Sequence, residues 1–137
     1  MALQLTLFPE TFTVVRYPAN YALDSKLLEK CSFYSITRTP SELSLLILDD
    51  VLPSLPGSQD RKVEQGFRGF KIAMGQLDFS LVGILAKVVE PLRDARVPLF
   101  VISTFDTDYV LVKNENVTKA REVLTKAGHK IDDGELA

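Results

Sequence analysis

Residues 103–108 read STFDTD, three hydroxyls and two carboxylates within six positions, and residues 80–84 read SLVGI, a glycine inside an apolar run. Together they hold the groups needed to grip both ends of a small zwitterion. A helix beginning near Leu81 offers backbone N–H groups without intrahelical partners, and the positive end of its dipole, to a carboxylate. Gly83 has no Cβ and lets a ligand approach that backbone, although the same property suits close packing of a helix on a sheet. Across from it, Asp108 or Asp106 would pair an ammonium, and the hydroxyl of Ser103 or Thr104 would add a hydrogen bond. Asp106 also suits a purely local role in a turn. Leu81, Val82 and Ile84 are core residues by spacing, so only their backbone is a candidate for contact.

These groups need a helix and a hairpin to position them. Over 81–93, Leu81, Ile84, Leu85, Val88 and Leu92 share one helical face, with Lys87, Glu90 and Asp94 opposite. Asp78 or Ser80 would cap its start, and Pro91 predicts a kink or an early end. Residues 99–103 and 108–113 are rich in β-branched and aromatic side chains and read as two strands. Asn114 or Asn116 then caps a helix whose inward set is Val117, Ala120, Val123, Leu124 and Ala127, with Gly128 as its left-handed terminus. A short strand at 129–131 and a polar tail follow. His129 is expected at the surface near the helix end.

The hairpin has an internal echo. Aligned at an offset of 66, Ile36 falls on Ile102, Ser41 on Thr107, Glu42 on Asp108 and Leu45 on Leu111. A repeated supersecondary unit is the usual source of such self-similarity. On this alignment Glu42 preserves the acid of Asp108. The first copy reads more loosely. Leu3, Leu5 and Leu7, then residues 11–17, suggest two strands joined by a turn at Pro9-Glu10. A short helix at 24–30 and strands at 33–38 and 43–48 come next. Residues 49–65, with Pro53, Pro56 and Gly57, look like a linker in place of a full helix, and 66–74 returns to strand.

From residue 66 the order is strand, helix, strand, strand, helix, strand, the ferredoxin-like βαββαβ unit. The expected fold is therefore α+β, with two such modules in tandem (1–65, its last helix truncated, and 66–137) and antiparallel sheets carrying helices on one face. An open sheet face favours self-association.

Composition narrows the function. The 137 residues carry a net charge of −2 and a pI near 5.4, which provides no basic field for nucleic acid. The strands lack the paired aromatics of an RNA-recognition module, and Gly66-Phe67-Arg68-Gly69-Phe70 is a superficial echo of one. A single cysteine, Cys31, and a single histidine, His129, exclude an intramolecular disulfide and leave too few ligands for a usual zinc site. No cofactor or metal is expected. The longest apolar stretch, 81–86, is too short to span a bilayer, and the amino terminus lacks a secretory pattern; a soluble, cytoplasmic protein without membrane contact is expected. No nucleophile stands beside an evident base, which argues against an enzyme.

The runs LDFSLVGILAKVVEPL (77–92) and STFDTDYVLVK (103–113), with ELSLLI (42–47) in the first copy, resemble the tandem ACT-domain proteins. That family includes small bacterial proteins, the regulatory regions of aspartate kinases and the CASTOR-type arginine sensors. The resemblance implies non-catalytic regulatory modules that pair side by side, as in a homodimer, and bind a free amino acid at the interface between modules. It also implies a regulated enzyme or other partner protein. By position, the family's ligand-binding residues fall on Phe79, Ser80, Leu81, Val82, Gly83 and Ile84, and on Ser103, Thr104, Phe105 and Asp108. The arginine sensors carry an acid two residues before the helix glycine; here Leu81 stands there, which argues against arginine. The competing reading is an ACT pair without a ligand, kept as a protein–protein interaction or structural module.

Overall fold

The computed structural model describes residues 2–73 and 83–136, and they group into two compact units. One unit takes residues up to Pro9 together with Phe67–Glu135; the other is Glu10–Gly66. Residues 1–9, which a cut at 65/66 assigns to the first module, thus group with the second half of the chain. The reason lies in the first strand, β1 (Gln4–Tyr17). It runs unbroken through Pro9, where the sequence suggests a turn. Its early residues Leu5 and Leu7, with Leu3 just before it, enter one core, while Val15 and Tyr17 enter another.

The unit built on Phe67–Glu135 contains β4 (Lys62–Ile72), α1 (Ile84–Asp94), β5 (Phe100–Ser103), β6 (Asp108–Lys113), α2 (Val117–Lys126) and β7 (Lys130–Asp133). Among the described residues this is the βαββαβ order. The sheet order is β7–β1–β4–β6–β5, so β1 lies between β7 and β4, which a plain ferredoxin-like unit would place side by side. β4–β6 and β5–β6 pair antiparallel, but β7 pairs with β1 in parallel, Gln4 opposite Lys130 through Leu7 opposite Asp133. The expectation of a purely antiparallel sheet is corrected at that pair, where the start of β1 is inserted beside β7.

Ile84, Val88 and Leu92 of α1, with Ala120 and Leu124 of α2, cover Leu5, Leu7, Phe70, Ile72, Val110 and Val112 on the sheet. Helical spacing on one side and period two on the other make those faces meet. Ala127, expected inward, is exposed; the chain turns away at Gly128, whose φ is +99°.

The position before α1 is Gly83, at φ +83°. The expected caps Asp78 and Ser80 lie outside the described residues. α1 neither ends nor breaks at Pro91, and the Ala95 N–H still donates to the Pro91 carbonyl at 3.1 Å. Proline removes the N–H that would bond the Lys87 carbonyl. His129 takes its place: Nε2 lies 2.9 Å from the Lys87 oxygen, while Nδ1 accepts from the Leu3 N–H at 3.1 Å. An acceptor Nδ1 leaves Nε2 as the donor. His129 is buried rather than at the surface.

In Glu10–Gly66, β3 (Leu43–Leu48) pairs antiparallel with β1 and with β2 (Ser35–Arg38). Its helical segments are 3-10 turns at Ser25–Leu28 and Asp49–Ser54, so the helix expected at 24–30 is shorter and tighter than read. Residues 49–65 include the second of these turns and the start of β4, and are not wholly a linker. Val15, Tyr17, Leu28, Leu43, Leu45, Ile47 and Leu55 form the core. Thr13, fully buried, donates its hydroxyl to the Asp49 carboxylate. Among the described residues no helix is long and apolar enough to cross a membrane.

Candidate functional site

The β5–β6 hairpin brings part of the expected set together. Ser103 and Asp108 are directly opposed across the two strands. Thr104 closes the turn: its N–H donates to the Thr107 carbonyl at 2.8 Å, its hydroxyl donates there at 3.0 Å, and it accepts the Thr107 N–H at 3.2 Å. The Thr104 hydroxyl is therefore engaged in the turn. Ser103, Thr104 and Asp106 are exposed, Asp108 is half-buried, and Phe105 projects at the tip with 85% of its surface exposed.

Thr107 was not singled out by the sequence, yet it anchors the hairpin. It is 4% exposed, and its hydroxyl donates to the Ile72 carbonyl at the end of β4. A hydroxyl at a turn is an ordinary sequence feature, and nothing local marks this one as buried.

The β2–β3 hairpin repeats the turn chemistry. The Thr39 N–H donates to the Glu42 carbonyl at 2.8 Å, and its hydroxyl accepts the Ser41 and Glu42 N–H groups, each at 3.1 Å. Strand pairing sets Arg38 opposite Leu43 and Ser35 opposite Leu46, as Ser103 opposes Asp108 and Phe100 opposes Leu111. The echo is thus offset by 65 residues, not 66. A one-residue shift exchanges the faces of a strand. The counterpart of Asp108 is Leu43, and that of Glu42 is Thr107, so no acid is preserved at the Asp108 position.

Gly83 is exposed, and a Cβ built on it meets no atom of the described residues within 4 Å. Its positive φ, not close packing, is what calls for glycine. Ile84 is 6% exposed, with its side chain in the core. Ser80, Leu81 and Val82, with Phe79, lie outside the described residues. No group of three or more metal-binding side chains forms among the described residues.

One titration is perturbed beside the hairpin. Burial first, and the Asp106 carboxylate second, hold the Tyr109 phenol above its ordinary value of 10.0. The fold favours the neutral phenol, so this contribution to stability is complete below the ordinary value and disappears as pH rises through the raised one. Ultraviolet absorbance titration should show a phenol ionising late, and Asp106→Asn should bring it partway back.

Comparison with known proteins follows from this geometry. The ACT domain family matches residues 62–126. Human protein CASTOR3P is 28% identical over 90 residues, covering 61% of this chain and 55% of that protein. The rat cytosolic arginine sensor for mTORC1 subunit 1 is 25% identical over 101 residues, covering 71% of this chain and 30% of the sensor. The chain thus spans about half, or under a third, of these relatives' length. Among solved structures, protein Atu0741 from Agobacterium tumefaciens is 32% identical, with 98% of this chain and 96% of that chain covered and a TM-score of 0.84. Clostridium acetobutylicum aspartate kinase shares the fold at 16% identity and a TM-score of 0.66, over 92% of this chain and 34% of the kinase. Residues 62–126 of this chain are an ACT domain, and the Atu0741 and aspartate kinase structures share the fold over 98% and 92% of its length.

Proposed function

We propose that this protein is a regulatory, non-catalytic module that binds a small amino acid, with two ACT modules in tandem and a homodimer pairing modules edge to edge. In this reading the ligand sits at an interface between ACT modules of paired chains. The binding residues are the backbone from Ser80 to Ile84, together with Ser103, Thr104, Phe105, Asp106 and Asp108. The supporting observation is the open, left-handed Gly83 at the head of α1, in the same unit as the opposed Ser103–Asp108 pair. The backbone N–H groups beyond Gly83 suit a carboxylate, and a half-buried aspartate suits an ammonium. The likeness to an arginine sensor and to an aspartate kinase supports a sensing role. Its partner would be an enzyme or signalling complex whose activity follows the ligand, in the cytoplasm.

Titration against the twenty amino acids, by thermal shift and calorimetry, tests this. At least one should bind saturably, and Asp108→Ala should weaken it by about tenfold or more. Asp108 has no hydrogen bond to lose to the described residues, so the variant should keep its melting temperature. No binding by any amino acid would favour a second reading, a ligand-free interaction module. That reading draws on the replacement of helices by 3-10 turns in Glu10–Gly66.

A further inference from the structure

We propose that Glu10–Gly66 carries its own binding cleft for a small acidic metabolite bearing an ammonium, an acidic amino acid. This goes beyond the reading above and uses none of its residues. Arg16, Ala19, Ser41, Asp60 and Lys62 line an open surface concavity of about 480 Å³. They come from β1, the loop after it, the β2–β3 turn and the start of β4.

Its walls are held from behind. The Arg38 guanidinium, on β2, donates to the Ala19 carbonyl and, at 2.7 Å, to the Tyr21 carbonyl, which fixes the loop after β1. Thr39 closes the Ser41 turn from within. The Ser58 hydroxyl accepts the Asp60 N–H at 3.3 Å, and the Ser58 carbonyl accepts the Arg61 N–H at 3.1 Å. Such bonding leaves little to be ordered when a ligand arrives.

The charges inside are disposed for binding. Arg16 is steadied at one edge, where Nη2 donates to the Ser41 carbonyl at 3.2 Å and Nε stands 4.0 Å from Glu42. A guanidinium has five N–H donors, so a carboxylate can still be received. The Lys62 ammonium and the Asp60 carboxylate form no hydrogen bond or ion pair with the described residues, yet face the same concavity. Two cations and one anion line the concavity, with Glu42 beside Arg16 at its edge. An acidic amino acid complements all three: two carboxylates for Arg16 and Lys62, and an ammonium for Asp60. Its own net charge is −1 at neutral pH.

Calorimetric titration of the full chain with L-aspartate, L-glutamate and succinate tests the assignment at low salt, where such charges are least screened. One of the amino acids should bind saturably and more tightly than succinate, which lacks the ammonium. Lys62→Gln, which breaks no internal bond, should weaken binding by about tenfold. Arg16→Gln should weaken it as much, and Asp60→Asn should erase the preference over succinate. Absence of saturable binding at ~10 mM, or Lys62→Gln and Arg16→Gln binding like the parent, would overturn the cleft. If binding is lost in Asp108→Ala and intact in Lys62→Gln, the ligand occupies the Gly83–Asp108 region and the cleft is refuted. If it is lost only in the Arg16 and Lys62 variants, the cleft stands, and the Gly83–Asp108 region is left to be tested with the other amino acids.

Discussion

His129→Ala is expected to destabilise the protein by about 3 kcal/mol, read as a lower urea midpoint with an unchanged transition slope. The imidazole joins the residue before β1 to α1 by accepting from the Leu3 N–H and donating to the Lys87 carbonyl. Its removal orphans both. The Leu3 N–H is buried, and a buried unpaired amide costs about 1–3 kcal/mol. The Lys87 carbonyl borders an open concavity with Glu90 and Pro91, so water can reach it and its share is smaller. The void left by the ring supplies the remainder. His129→Phe fills that void while leaving both groups unpaired, and should recover only part of the loss.

A double-mutant cycle with Pro91 checks the cause. Pro91→Ala restores an N–H that can bond the Lys87 carbonyl within α1, so this carbonyl no longer depends on His129. The two substitutions together should therefore cost about 1 kcal/mol less than their separate effects predict. Strict additivity would show that the Lys87 contact contributes nothing, leaving the Leu3 bond and the packing of the ring to account for the loss.

This pairing marks where reading the chain stops. His129 and Lys87 are 42 residues apart, and the need that joins them arises only because Pro91 sits inside a helix that does not break. The strands 43–48 and 108–113 are legible as short apolar runs bounded by turn residues, and α1 as a stripe at the helical period. The offset between the hairpins is not. Leu45, Leu46 and Ile47 are all buried, as are Val110, Leu111 and Val112. Continuous apolar runs carry no alternation by which to choose between adjacent alignments. Residue likeness then favoured Glu42 on Asp108, whereas the turns are set by Thr39 and Thr104. At Pro9 the local rule predicts a break, although a proline is tolerated in a strand where its missing N–H is not needed. For the candidate sites, Gly83 and the Ser103–Asp108 pair were visible as residue types. Arg16, Asp60 and Lys62 belong to no motif, and only the fold sets them around one concavity.

Tyr17→Ala should be the most damaging substitution in Glu10–Gly66, costing about 3–5 kcal/mol. The ring is fully buried, stacks on Tyr21 with centroids 4.1 Å apart and planes 12° apart, and its hydroxyl donates to the Pro56 carbonyl at 2.8 Å. With 3-10 turns where helices would otherwise cover the sheet, few side chains are available to collapse into the space. Tyr17→Phe separates the ring from the hydroxyl. Arg61 Nη1 also donates to the Pro56 carbonyl at 3.3 Å, so the acceptor keeps a partner and the cost should stay near 1 kcal/mol. The contrast extends to binding. Tyr21 is held by stacking on Tyr17 and by Arg38 at its carbonyl, and Ala19 on the same loop lines the cleft of Arg16 and Lys62. Tyr17→Phe preserves the stack and should bind acidic amino acids as the parent does. Tyr21→Leu removes the stack while retaining apolar bulk, and should weaken binding several-fold with a modest loss of stability. If Tyr21→Leu binds unchanged, Arg38 alone fixes the loop, and the aromatic pair serves only the core beneath it.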